Sequence, residues 1–172
     1  MRNFVIFGLL LGLVSLPALA QDFPKAEIFG GYQFTRLEGG INANGFNASL
    51  TGNANRWFGV AADFSGTYKT ISGINASVYT YTFGPVVSAN HEGVVNPFVH
   101  ALFGGAHLGA SVSGIGSGTA NGFTMMFGGG ADAKVSRHFA VRVIQADWVY
   151  YRFSGMSSNK NVRVSTGIVL RF

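Results

Sequence analysis

The chain contains no cysteine, so no disulfide holds it together. Charged residues make up 11% of it, against roughly 25% in ordinary soluble domains. Low charge would suit a helical membrane protein, yet beyond the first twenty residues there is no long apolar run, and no segment sustains apolar spacing at three and four residues. Lysine and arginine are scattered, with no basic cluster interleaved with aromatics, so the formal charge of +5 is not a nucleic-acid footprint. A small exported protein without disulfides needs either a good soluble core or a membrane around it. Hydrophobicity spread this thinly favours strands that expose apolar side chains on one parity only.

What is present begins with an address. Arg2 precedes an apolar run from Phe4 to Val14, followed by Pro17 and Ala18-Leu19-Ala20 before Gln21. A positive start, a short apolar core and an A-x-A site describe a secretory signal peptide cleaved after Ala20. Residues 1–20 are therefore set apart as a signal peptide, and residues 21–172 are read as one domain.

That domain reads as all-β. Alternating segments recur after Pro24, separated by glycine, asparagine and serine. Strands are expected at about 26–36, 46–52, 57–68, 77–88, 97–110, 122–135, 139–153 and 162–172. In the first, Ala26, Ile28, Tyr32 and Phe34 oppose Glu27, Gln33 and Thr35. In the third, Phe58, Val60, Ala62, Phe64 and Tyr68 oppose Gly59, Ala61, Asp63, Ser65 and Thr67. Pro85 marks a strand end or a bulge in the fourth. The fifth has no decisive parity. The seventh breaks parity, because Arg142 alternates with Ile144 and Trp148 while Gln145 and Asp147 fall opposite; a bulge near 142–147 would reconcile them.

The eighth strand is the plainest. Val162, Val164, Thr166, Ile168, Leu170 and Phe172 share one parity, and Arg163, Ser165, Gly167, Val169 and Arg171 the other. Such a segment can stand between lipid and a polar interior. Eight strands allot about 19 residues to each strand with its connection, enough for membrane strands of roughly 9–11 residues. Longer connections at 37–45, 69–76, 111–121 and 154–161 alternate with shorter ones at 53–56, 89–96 and 136–138. That is the asymmetry of outer loops and periplasmic turns, and an even strand count puts both termini on the periplasmic side.

The signal peptide, the aromatic alternation, the stretch Trp57-Phe58-Gly59-Val60-Ala61-Ala62-Asp63-Phe64-Ser65-Gly66 and the final Phe172 resemble the OmpA-like and OmpX-like eight-stranded outer-membrane β-barrels of Gram-negative bacteria. The resemblance covers residues 21–172 and rests on pattern more than on a fixed motif. It implies an antiparallel up-and-down transmembrane barrel, a monomer, in the outer membrane. It also implies that Phe172, with Leu170 and Ile168 upstream, is read by the barrel-assembly machinery. Nothing follows Phe172, so the peptidoglycan-binding domain of full-length OmpA is not expected.

The inward set is expected to include Glu27, Asp63, Asp132, Lys134, Arg163 and Arg171. If the first and last strands close the barrel, Glu27 and Arg171 meet near the periplasmic rim as an ion pair or across one water. Tyr79, Tyr81, Phe83, Phe123, Phe127, Trp148, Tyr150, Tyr151 and Phe153 would form interfacial girdles. Catalytic signals are poor. His91, His100, His107 and His138 are scattered, and His100 and His107 have opposite parity, so they cannot jointly hold a metal without a bulge. Ser154, Ser157 and Ser158 lack a histidine at a characteristic spacing, and Gly114, Gly116 and Gly118 precede no helix. No enzyme, cofactor or metal is expected. The expected partners are outer-membrane lipids, the assembly machinery and an extracellular partner reached through the loops. The function expected is structural or surface-interacting; a lipid A-modifying barrel enzyme, a narrow ion-conducting barrel and a soluble lipocalin-like binder are the rivals.

Overall fold

In the computed structural model, residues 23–71, 74–89, 93–112, 116–153 and 155–172 are described. Eight strands form them: β1 (Ala26–Leu37), β2 (Ile41–Asn53), β3 (Phe58–Ile71), β4 (Ile74–Ser88), β5 (Val95–Val112), β6 (Gly116–Lys134), β7 (Phe139–Phe153) and β8 (Met156–Arg171). Each pairs antiparallel with the next, and β1 pairs with β8 from Glu27↔Arg171 to Arg36↔Val162, closing a barrel. Closure leaves no strand edge unpaired, which backbone groups in lipid require. The signal peptide, His91, Gly114 and Ser154 lie outside the described residues.

Crossing the strands from Ala26 through Gly52, Val60, Pro85, Ala101 (level with Pro85 by the register of Phe83↔Phe103 and Val86↔His100), Phe127, Trp148 and Val162 returns to β1 at Arg36, a stagger from residue 26 to 36. For eight strands that stagger implies a tilt of about 40°. Closing so narrow a tube bends the wall sharply. At the seam, Gly31 faces Gly167, and a Cβ on Gly31 would overlap the Thr166 carbonyl oxygen.

The barrel is inside-out relative to a soluble one. Ile28, Tyr32, Leu50, Val60, Phe64, Tyr81, Phe83, Phe127, Ile168 and Leu170 are exposed, while Glu27, Gln33, Asn47, Asp63, Asp132, Arg142, Asp147, Arg163 and Arg171 are buried. A soluble ligand barrel would need the opposite arrangement, so that rival is excluded. An apolar patch of Val86, Phe98, Leu102, Ala106, Met126 and Val149 covers the inner wall on the β4–β7 side.

Several expectations are corrected. The long polar connections are mostly strand: pairing continues to Leu37↔Ile41, Ile71↔Ile74, Val112↔Gly116 and Phe153↔Met156. The outer loops are thus tall hairpins, because glycine, asparagine and serine still alternate there and composition does not reveal where backbone pairing stops. Pro85 neither ends β4 nor shifts its register. Pairing with β5 lapses at Gly84 and Pro85 and resumes in step, from Phe83↔Phe103 to Val86↔His100. In β5, Phe98, His100, Leu102 and Ala106 face inward. Tyr151 is buried and Phe153 packs against the inner apolar cluster, so neither belongs to a girdle. Adjacent strand residues cannot both face lipid, and Tyr150 takes the outer side.

Candidate functional site: the charged interior

The bulge in β7 builds the interior. Asp132 pairs with Arg142 and Ala131 with Ile144, so Val143 is the extra residue, and Val143 and Ile144 are both exposed. This one insertion lets Arg142 point inward along with Gln145, Asp147 and Val149.

Four buried carboxylates (Glu27, Asp63, Asp132, Asp147) then share the lumen with three guanidiniums (Arg142, Arg163, Arg171) and His100. Arg163 sits at the centre. It donates through Nε to Asp147 Oδ2 at 2.7 Å and through Nη1 to Asp63 Oδ1 at 2.8 Å, tying β8 to β3 across the lumen. Asp63 also accepts from Asn47 Nδ2 at 2.7 Å. Asp147 accepts from Gln145 Nε2 at 2.8 Å and contacts His100 Nε2 at 2.7 Å. Arg142 donates to both oxygens of Asp132, at 2.8 and 3.1 Å, and to Gln145 Oε1 at 2.7 Å. Its guanidinium lies between the rings of Phe29 and Phe98, 4.3 Å from each, a geometry that adds cation–π attraction. The charges therefore form one connected chain, and charges paired in this way are tolerated when buried.

The network reaches the periplasmic rim through Arg171, whose Nε is 2.8 Å from Glu27 Oε1 and whose Nη2 is 3.7 Å from Asp132 Oδ2. These contacts are ionic rather than well-aligned hydrogen bonds, since Nε, Nη2 and Oε1 have no hydrogen-bond partner. Lys134 is a correction. It has inward parity but is exposed at the end of β6, because parity fixes the face of a strand and not the depth. Arg142, Asp147 and His100 were missing from the expected charge set. The broken parity of residues 142–147 was the signal for the first two, whereas nothing in the sequence chose the face of His100.

Toward the outer end the lumen is polar but uncharged: Gln33 Nε2 donates to Thr67 Oγ1 at 2.6 Å, and Ser65 and Thr80 share a hydrogen bond of 2.7 Å. The free space among Glu27, Asp63, His100, Asp132 and Arg142 is about 20 Å³, room for one water. The two histidines of opposite parity part company, His100 on Asp147 inside and His107 on Asn121 outside, 2.7 Å each. Ser158 is engaged with Asn161 and is not brought to a histidine by any hydrogen bond among the described residues.

An apolar exterior around a lumen filled with paired charged side chains, in a closed circle of strands, defines an integral membrane β-barrel. The model of the outer membrane protein beta-barrel domain matches residues 6–172. The chain belongs to that family, and it is an outer-membrane protein. Its fold is similar to Ail, the attachment invasion locus protein of Yersinia pestis (22% identity, TM-score 0.62, covering 87% of this chain and 99% of Ail). It is also similar to Neisserial surface protein A (13%, TM-score 0.66, 86% and 96%). A third similar structure is the N-terminal barrel domain of Pseudomonas aeruginosa OprF (12%, TM-score 0.59, 87% and 98%). No curated protein matches the chain.

Proposed function

We propose that this barrel is a sealed membrane scaffold whose role is played on its outer side, by the hairpins it holds above the membrane. The observation that carries the reading is the Asp63–Arg163–Asp147 bridge, which ties β8 to β3 across the lumen; on this reading the bridge seals the barrel. A sealed lumen gives no route for solutes, so the working surface is the exterior. The hairpins β3–β4 and β5–β6 border an open depression of about 430 Å³ lined by Tyr68, Thr70, Asn75, Ser77, Ser111 and Thr119. Those hydroxyl and amide groups suit a hydrogen-bonding extracellular partner. No catalytic role is proposed, and lipid A profiles should be the same with and without the protein.

The remaining expectations belong to the same proposal. Residues 1–20 are removed on export, the barrel acts as a monomer among outer-membrane lipids, and Phe172 is the signal read during assembly. Phe172 lies on the outward face of the wall and is exposed, with its carbonyl accepting from the Lys25 and Ala26 amides. The test is cell fractionation with a tag inserted in each hairpin turn. The protein should appear in the outer-membrane fraction with heat-modifiable gel mobility, and antibody should reach the tags on intact cells. Tags reached only after permeabilisation would overturn the reading.

A further inference from the structure

The outer wall carries a charged feature that the sealed-scaffold reading does not use. Arg36 on β1, Arg152 on β7 and Lys160 on β8 are exposed, on three strands that are neighbours around the closure. Each stands just beyond the apolar part of its strand. Arg36 follows Phe34 at the next outward position, Arg152 follows Tyr150, and Lys160 lies beyond Val162, where β8 carries an extra residue and Asn159 and Lys160 are both exposed. Trp148 fixes that stretch by donating Nε1 to Asn159 O at 2.6 Å.

Register and tilt put the three at one height. Arg36 pairs with Val162 and Arg152 with Ser157. With a rise of about 3.3 Å per residue and a tilt of about 40°, Lys160, Arg36 and Arg152 fall within about 4 Å of the same level. Neighbours in the row are about 8 Å apart along the wall. The outward apolar positions below them, from Leu170 and Ile28 up to Tyr150, span the roughly 25 Å of a barrel's apolar band. The row therefore sits where the outer leaflet's headgroups begin. It makes no ion pair among the described residues; Glu38, the nearest carboxylate along the chain, is placed beside Asn161 by its backbone N–H, which donates to Asn161 Oδ1 at 2.9 Å. The flank is specific, because the corresponding outward positions on β2–β5 are Asn42, Tyr68, Tyr79 and His107.

We infer that Arg36, Arg152 and Lys160 form a lateral docking row for the phosphate groups of an outer-leaflet lipid headgroup. Cations held at headgroup depth on lipid-facing positions meet lipid phosphates before any soluble anion. A row on three adjacent strands matches a headgroup bearing more than one phosphate better than a single-charge lipid. Arginine adds a planar fork that suits phosphate oxygens. One flank of the barrel would carry a bound lipid shell while the other would not.

The experiment uses the mature protein in phosphatidylcholine nanodiscs containing either diphosphoryl lipid A or the same lipid with its phosphates removed. Lipid retained on the barrel is counted by native mass spectrometry. The wild type should retain the diphosphoryl form about a hundredfold more than the dephosphorylated one, from roughly additive contributions of the three cations. R36Q/R152Q/K160Q should lose that preference, and K134Q/R137Q, at the opposite rim, should keep it. Heat-modifiable mobility confirms that each variant is folded. A wild type without preference overturns the inference, as does a folded triple variant that keeps it. If the triple variant does not fold, salt titration of the wild type decides, because a phosphate-borne preference fades as salt rises and a packing preference does not. Release of lipid A by inorganic pyrophosphate at constant ionic strength would also overturn it, by assigning the row to a soluble anion.

Discussion

Replacing Arg163 with methionine tests the interior most sharply, because that guanidinium is the only described group bonded to both Asp63 and Asp147. Methionine fills much of the same volume and brings no charge, so the loss is electrostatic rather than steric. The two carboxylates are left unequal. Asp147 keeps His100 and Gln145, whereas Asp63 keeps Asn47 as its donor in the hydrogen bonds seen among the described residues. Both stay buried, at 1% and 4% exposure. Removing one partner of a buried ion pair typically costs about 3–5 kcal/mol, most of it the penalty on the orphaned charge. With a urea slope of about 1–3 kcal/mol per molar, the unfolding midpoint should fall by roughly 1–5 M. The assay is urea unfolding in lipid vesicles, followed by heat-modifiable mobility. Neutralising the orphans in R163M/D63N/D147N should recover more than half of the loss. A loss below about 1 kcal/mol, in the range of ordinary surface changes, would refute the reasoning. So would a triple variant no more stable than the single one.

Three further outcomes follow from particular residues. Deleting Val143 removes the bulge and turns Arg142 away from Asp132, leaving that buried carboxylate without the guanidinium that donates to both its oxygens, a loss of about 3–5 kcal/mol; the variant should fail to show heat-modifiable folding. Gly31→Val should lower stability by about 1–3 kcal/mol, since any Cβ there meets the Thr166 carbonyl and forces the β1–β8 seam apart; an unchanged urea midpoint would contradict it. Phe172→Ala should leave refolding into detergent intact and reduce the amount assembled in cells, and equal amounts in both would remove Phe172 from the assembly signal.

The sequence showed the fold more fully than the interior, and the reasons are physical. A membrane wall imposes period two on every strand, so the alternation of Val162–Phe172 announces β8 and its closure partner β1. Once both are known, Glu27 and Arg171 meet by register alone. Hairpin height was hidden because the strand stretches 41–45 and 116–121 are made mostly of glycine, asparagine and other small or polar residues above the membrane. With water on each side, nothing forces apolar alternation where backbone pairing continues. The interior network was hidden for a different reason. One extra residue at Val143 reverses the facing of everything before it in β7, and parity alone cannot say which of Val143 and Ile144 is the insertion. The face of His100 had to wait for register, because Phe98 and Leu102 on one parity balance Val99 and Phe103 on the other.

Single-channel recording in planar bilayers tests the central claim most directly. Purified wild-type barrel, inserted at high salt and held at either polarity, should give no discrete conductance steps above the bare membrane, because the bridge of Asp63, Arg163 and Asp147 blocks the lumen. Reproducible steps from the folded wild type would contradict a sealed scaffold and return the barrel to the ion-conducting reading.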